Sequence, residues 1–284
     1  MLKKIIILPL FLYSVLAAEF VTNVNESTQK ISDFTMISDD LETGLIVDHL
    51  AVDAMIAAWG FKYWAWGKHS EHVRAEDWFE QDGDTGGSDK VGHAYMTYLL
   101  SRVLSSRMED RGMSLQESSL YGSLSGMLAM TLLEVGDGTS AYGFSNEDLI
   151  MDAAGAVLAY FIRAYPAVDD FIDIRLEYLP TSEYLKEGDA ATDYSGMKHL
   201  VAFKLSGFES LKNTGWGIVE LQTGYYARGY RSFDPVGTQS QHMYAGIGLN
   251  LSDLARRSGI NVLENIFEFY QPGKTYKEYS IWER

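Results

Sequence analysis

Between residues 45 and 165 the apolar positions recur at steps of three and four; between residues 171 and 251 they recur at every second residue. The first spacing places side chains on one face of a helix, the second on one face of a strand. The chain therefore reads as α+β: a four-helix bundle over 43–166, then an antiparallel sheet over 167–284.

The first helix is expected over 45–66, with Val47, Leu50, Ala51, Ala54, Ala58 and Phe61 as its stripe and Asp48, His49 and Asp53 set within it. It ends in aromatics, Trp59, Phe61, Tyr63, Trp64 and Trp66. Such a cluster suits a membrane interface or the edge of a core. A charged, then glycine-rich connection follows over 67–88. Its Asp82-Gly83-Asp84 resembles part of a calcium loop but lacks the later ligands. The second helix starts at Ser88, with Asp89 in its first turn, and His93, Met96, Leu100 and Leu104 continue the face of Asp89. The third opens with the capping box Ser114-Leu115-Gln116-Glu117 and carries no charge from Ser118 to Leu133. Its Gly122 and Gly126 form a small-residue ridge for close helix contact. The fourth begins at Ser145 and sets Asp152, Gly155, Ala156 and Ala159 on one face, until Tyr165-Pro166 stops it.

Strands are expected over 171–178, 199–206, 217–230 and 243–251. In the third, Val219, Leu221, Thr223 and Tyr225 face one way and Glu220, Gln222 and Arg228 the other. In the fourth, Met243, Ala245, Ile247, Leu249 and Leu251 oppose Tyr244, Gly246, Gly248 and Asn250. Five or six strands fall short of the roughly eight of a closed membrane barrel. A short helix over 252–265 and a polar, aromatic tail complete the chain.

Composition adds compartment and partners. Met1-Leu2-Lys3-Lys4, an apolar run over 5–16 and Ala17-Ala18 read as a secretory signal peptide over 1–18. A polar extension over 19–42 follows, pinned at Phe34 and Met36. The run is shorter than the ~20 residues of a membrane span. There is no cysteine, so neither a lipobox nor a disulfide is expected. The expected location is the periplasm or outer membrane. A net charge of −16 without a basic cluster excludes nucleic acid as partner. A membrane surface or another envelope component remains the expected contact; cofactors and oligomeric state are not legible.

Polar groups on the helix faces carry the candidate chemistry. His93, Asp89, Glu134 and Asp152 are the catalytic candidates, and Lys90, Asp137 and Asp148 the binding candidates. A histidine among carboxylates suits a divalent cation or general acid–base work. Several of these have structural alternatives. Asp89 and Asp148 stand at helix N-termini, Ser145 with Asp148 has S-x-x-D capping spacing, and Glu134 and Asp137 border a glycine turn. Asp152, one turn into an apolar helix, needs a partner if buried. His93 and Asp152 are expected in one polar cluster, with Asp89 or Glu134 as third member. Nucleophile-elbow, phosphate-loop, dinucleotide and zincin motifs are absent.

Asp89-Lys90-x-x-His93, the turn Glu134 to Gly138 and Gly143-Phe144-Ser145-x-x-Asp148 with Gly155 resemble the YfiM-type family of exported bacterial proteins, over about 85–165. The sheet portion, with Gly224-Tyr225-Tyr226-Ala227-Arg228-Gly229-Tyr230 and Gly246-Ile247-Gly248-Leu249-Asn250-Leu251, resembles the C-terminal extension of its longer members. A fainter similarity runs to VanZ-like membrane proteins, which place Asp-Lys-x-x-His on one helix and Asp-x-x-x-Asn-x-x-Gly on a later one; Asp152 stands where that pattern has Asn. The resemblance implies a cell-envelope protein and supplies no reaction.

Three functions compete on this reading. One is a non-catalytic structural or outer-membrane-associated role. The second is a metal- or acid/base-dependent hydrolase acting on a lipid or cell-wall fragment. The third is a small-ligand or metal-binding module.

Overall fold

The computed structural model describes residues 39–182, 184–230, 234 and 237–284, with side chains from residue 43 onward. The expected export signal, and Phe34 and Met36, lie outside the described residues. Four long helices come first: α1 (Asp39–Tyr63), α2 (Ser88–Asp110), α3 (Leu115–Asp137) and α4 (Asn146–Ala164). Five strands follow: β1 (Ile172–Tyr178), β2 (Met197–Lys204), β3 (Val219–Arg228), β4 (Ser240–Leu249) and β5 (Tyr276–Glu283). Between β4 and β5 lie α5 (Leu251–Arg257) and α6 (Asn261–Phe267).

The chain divides into two compact units. One comprises the chain through Glu76 with Met96–Ala164; the other comprises Asp77–Tyr95 and Tyr165–Arg284. Helix α2 runs unbroken through both.

In the helical unit, α3 starts where its capping box predicts. The Ser114 hydroxyl accepts from the Glu117 amide, and the Glu117 carboxylate accepts from the Ser114 amide, each at 3.3 Å. The glycine ridge of α3 does bring helices together. A Cβ on Gly122 would lie 2.6 Å from the Ser105 backbone nitrogen, and one on Gly126 2.8 Å from that of Ser101. Ile56, Trp64, Trp66, Leu100, Ala129 and Met130 form one apolar cluster, and Leu45, Met108 and Met113 another. Trp64 and Trp66 thus belong to a core edge rather than an interface belt.

The α1 stripe behaves otherwise. An apolar stripe ordinarily faces a core, yet Val47, Leu50, Met55 and Phe61 are exposed, Leu50 at 61%. Val103 of α2, Leu120 and Leu124 of α3, and Ile150, Val157, Leu158 and Phe161 of α4 are exposed as well. The buried positions meanwhile include Thr97, Ser101, Ser105, Ser118, Ser119, Ser123, Ser125, Glu134, Asp148 and Asp152. This unit keeps hydroxyls and carboxylates inside and presents apolar side chains outward.

The sheet is an antiparallel meander in the order β1-β2-β3-β4-β5. β5 is formed by the polar, aromatic tail, to which the sequence assigns no strand. Its mixture of Lys, Glu and aromatics hides the alternation, as suits an edge strand. Its register with β4 shifts between Met243 and Tyr244. The expected third strand loses its first residues to a 3₁₀ turn, Gly215–Ile218, and the expected fourth ends at Leu249, because Asn250 caps α5 by accepting from the Asp253 amide.

Alternation in the sheet is also inverted. Asp173, Arg175 and Glu177 of β1 and Glu220 and Gln222 of β3 are buried. On the opposite face Phe203, Leu221, Ile247 and Leu249 are exposed, as are Tyr279 and Ile281 of β5. Strand spacing is period two as expected; the covered face carries these charges together with the apolar cluster Leu200, Ala202 and Tyr244.

Candidate functional site

Each unit carries a polar cluster, and the two clusters hold the residues singled out in the sequence. In the helical unit, α3 and α4 are joined by a tight turn over 138–145. The Glu134 carboxylate, 1% exposed, accepts from the Ser145 amide at 2.9 Å. That amide is one of the N–H groups left over at the start of α4. Ser145 in turn accepts from the Asp148 amide at 3.1 Å, the cap expected from S-x-x-D spacing. One turn on, Asp152 is fully buried, and Thr97 of α2 donates to its Oδ1 at 2.8 Å. Glu134, Asp148 and Asp152 are therefore three buried carboxylates in one helical unit.

Asp137, the remaining acidic candidate of α3, serves the turn. Its carboxylate accepts from the Trp66 indole at 2.7 Å, and its carbonyl accepts from the Ser140 and Gly143 amides. Gly136 lets the Trp66 ring approach, since a Cβ there would lie 2.5 Å from it.

The sheet-bearing unit includes the first two turns of α2. Asp89 accepts from Lys90 at 3.1 Å and from the Tyr194 hydroxyl at 2.5 Å, and the His93 imidazole stands 3.8 Å away. Burial works against the Asp89 charge, but His93, Lys90 and Tyr194 outweigh it and hold this carboxyl below its ordinary value. Asp89, His93 and Thr97 follow one another at four-residue steps along the unbroken α2.

The inner face of the sheet carries a second network. Arg175 donates to Glu220 and to Gln271 at 2.8 Å each, and to Asp173 at 2.5 Å. Lys204 donates to Asp173 at 2.5 Å, and Gln222 to Glu220 at 2.6 Å. Burial opposes the Arg175 charge, but Asp173 and Glu220 raise its pKa above the ordinary value. On the opposite face His199 is fully buried beside Tyr95, and burial lowers its pKa to about 4.

Thr97, Tyr194 and the Arg175 network were not anticipated from the sequence. Thr97 was detectable, one turn beyond His93. Asp173, Arg175 and Glu177 were detectable as the charged alternates of a strand whose other residues are Ile172, Ile174 and Leu176. Tyr194 lies in an irregular segment with no periodic signal.

Of the candidates with cation-ligand chemistry, Asp89 and His93 belong to the sheet-bearing unit, and Glu134, Asp148 and Asp152 to the helical one.

Residues 75–164 match the model of a family described as "Predicted periplasmic lipoprotein" and defined as a domain of unknown function. No curated protein and no solved structure matches the chain. The family description agrees with an exported protein of the periplasm or outer membrane.

Proposed function

We propose that this exported protein works at a membrane of the cell envelope in a non-catalytic role, with its helical unit seated against lipid. The observation that carries this reading is the distribution of polarity in that unit. Val47, Leu50, Met55 and Phe61 of α1 are exposed, whereas Glu134, Asp148, Asp152 and ten Ser or Thr residues are buried. In water the exposed apolar stripes would remain hydrated, a cost of about 25 cal/mol per Å². In lipid the same arrangement is the stable one, because polar side chains turn inward and small residues let helices touch. Over Thr43–Tyr63, α1 is long and apolar enough to cross a membrane, and only 17% of that window is buried, unlike the core helix of a soluble protein. The likeness of Asp89-Lys90-x-x-His93 to VanZ-like membrane proteins points the same way.

Alkaline carbonate extraction of the envelope fraction tests the reading. The protein is expected to stay with the membrane pellet. Quantitative release into the aqueous wash would contradict it.

A second reading makes the buried carboxylates an acid–base or cation-binding centre. Within the helical unit Thr97 fixes Asp152 and Ser145 fixes Glu134. Equilibrium dialysis against zinc and manganese, with the parent and Asp152→Ala, tests it. Equal uptake by both proteins, or none, would remove it.

A further inference from the structure

We infer that the open half of the sheet's outward face, around Phe203, Leu221, Ile247 and Leu249, is a second lipid-docking surface that lies against the acyl-chain boundary of a bilayer. It rests on the membrane reading above only in needing the same bilayer; its evidence lies in the other unit.

Ile172, Phe203, Leu221 and Ile247 pair in one row that ends in Lys277, and Ile174, Val201, Thr223, Ala245 and Tyr279 in the next. The third row is covered within the same unit, where Tyr95 packs on His199 and Phe79 on Tyr225, so the open part of the face is its Phe203–Leu249 end. Phe203, Leu221, Ile247 and Leu249 are exposed, Ile247 at 55%. A sheet in water normally buries such a row and turns its charges outward. Here Asp173, Arg175, Glu177 and Glu220 occupy the covered side, where Arg175 is fully buried and bonded to three side chains. Charge-in, apolar-out alternation is the arrangement of strands that meet hydrocarbon.

The edge strand supports lipid over a protein partner. Lys277 lies over the Tyr279 ring at 5.3 Å, and Arg284 over that of Trp282 at 5.8 Å. Aromatic rings with a cation at their side suit the headgroup level, where one end of the side chain is apolar and the other wet. With a net charge of −16, attraction to anionic headgroups is not the driving force. Apolar burial is, so the docking should tolerate neutral lipid and high salt.

Two facts exclude a spanning role for this sheet by itself. Five strands are fewer than the roughly eight of a closed single-chain barrel. An open edge at β5 would leave its outer N–H and C=O groups without partners in hydrocarbon, at several kcal/mol each. Lying on the membrane avoids both costs.

The chain has no cysteine, so single labels are easily placed. We would introduce Leu221→Cys, Ile247→Cys, Leu50→Cys and, as a remote control, Glu187→Cys in the mature full-length chain. Each would carry an environment-sensitive nitrobenzoxadiazole label. The label is then read with phosphatidylcholine vesicles, with and without doxyl-labelled lipid, at low and high salt. The expected result is a blue shift and doxyl quenching at 221 and 247 at both salt levels, with neither at 187. Quenching at 50 but not at 221 or 247 would overturn the inference and leave the helical reading standing. Absence of quenching at all four would overturn both. A blue shift at 247 without vesicles, with a dimer by light scattering, would assign the face to a second copy and overturn the inference.

Discussion

Thr97 of α2 donates its hydroxyl hydrogen to Asp152 of α4 at 2.8 Å, in the interior of a helical unit whose outer surface is apolar. The pair shows how this unit is built. Polar side chains meet inside, and the small residues beside them let short side chains reach one another.

Asp152→Ala should lower stability by about 1–3 kcal/mol, because the Thr97 hydroxyl loses a buried acceptor. Asp152→Asn keeps an acceptor of the same shape and should be milder. Urea midpoints measured in detergent check this; equal midpoints for parent, Ala and Asn would place Asp152 in contact with solvent.

Gly122→Ala should destabilise by about 1–3 kcal/mol, since its new Cβ meets the Ser105 backbone as well as the Ser105 hydroxyl. Gly112→Ala makes a useful contrast, because its Cβ would meet nothing within 4 Å although its φ of +97° adds backbone strain. Pairing Gly122→Ala with Ser105→Gly should not restore stability, because the obstruction includes main-chain atoms. Thermal melts of the single and double variants provide the measurement.

These two predictions use features that were legible in the sequence. Small-residue spacing announced the α2–α3 approach, and the position of Asp152 within an apolar helix announced a need for a partner. The direction of burial was not legible. Periodicity says which residues share a face, and it reads identically whether that face meets a core or a lipid tail. Val47, Leu50 and Phe61 were found as a stripe, and Leu221 and Ile247 as alternates, but only coordinates show that they point outward. The β5 strand escaped for a related reason, since its charged alternates resemble a solvated tail. Tyr194, which holds Asp89, belongs to an irregular segment that no period describes.

Arg175→Met should cost about 3–5 kcal/mol, because Asp173 and Glu220 remain buried with less compensation. Replacing Glu220 with Gln in the same chain should recover part of that loss. A double-mutant cycle on unfolding midpoints tests the coupling. Strict additivity would mean that Arg175 and Glu220 do not stabilise one another.

Acidification should weaken the sheet-bearing unit before its carboxylates titrate. His199 is buried neutral with a pKa lowered to about 4, whereas the unfolded chain takes up its proton near the ordinary value of 6.5. The unfolded state therefore binds more protons between these values. Stability is full above pH 6.5 and falls as pH drops toward 4, by about 3 kcal/mol in total. His199→Gln should flatten this slope. Stability profiles of parent and variant with the same slope between pH 6.5 and 4 would show that His199 is not the group responsible.

The central claim, that the apolar surface of this envelope protein is made for lipid, is tested most directly by flotation. Purified protein, exchanged out of detergent, is mixed with phosphatidylcholine vesicles and centrifuged through a density gradient at low and at about 1 M salt, where the Debye length is near 3 Å. The account predicts that the protein floats with the vesicles equally at both salt levels, and that Leu50→Asp weakens flotation. A protein that remains monodisperse at the bottom of the gradient, without detergent and with vesicles present, would contradict it.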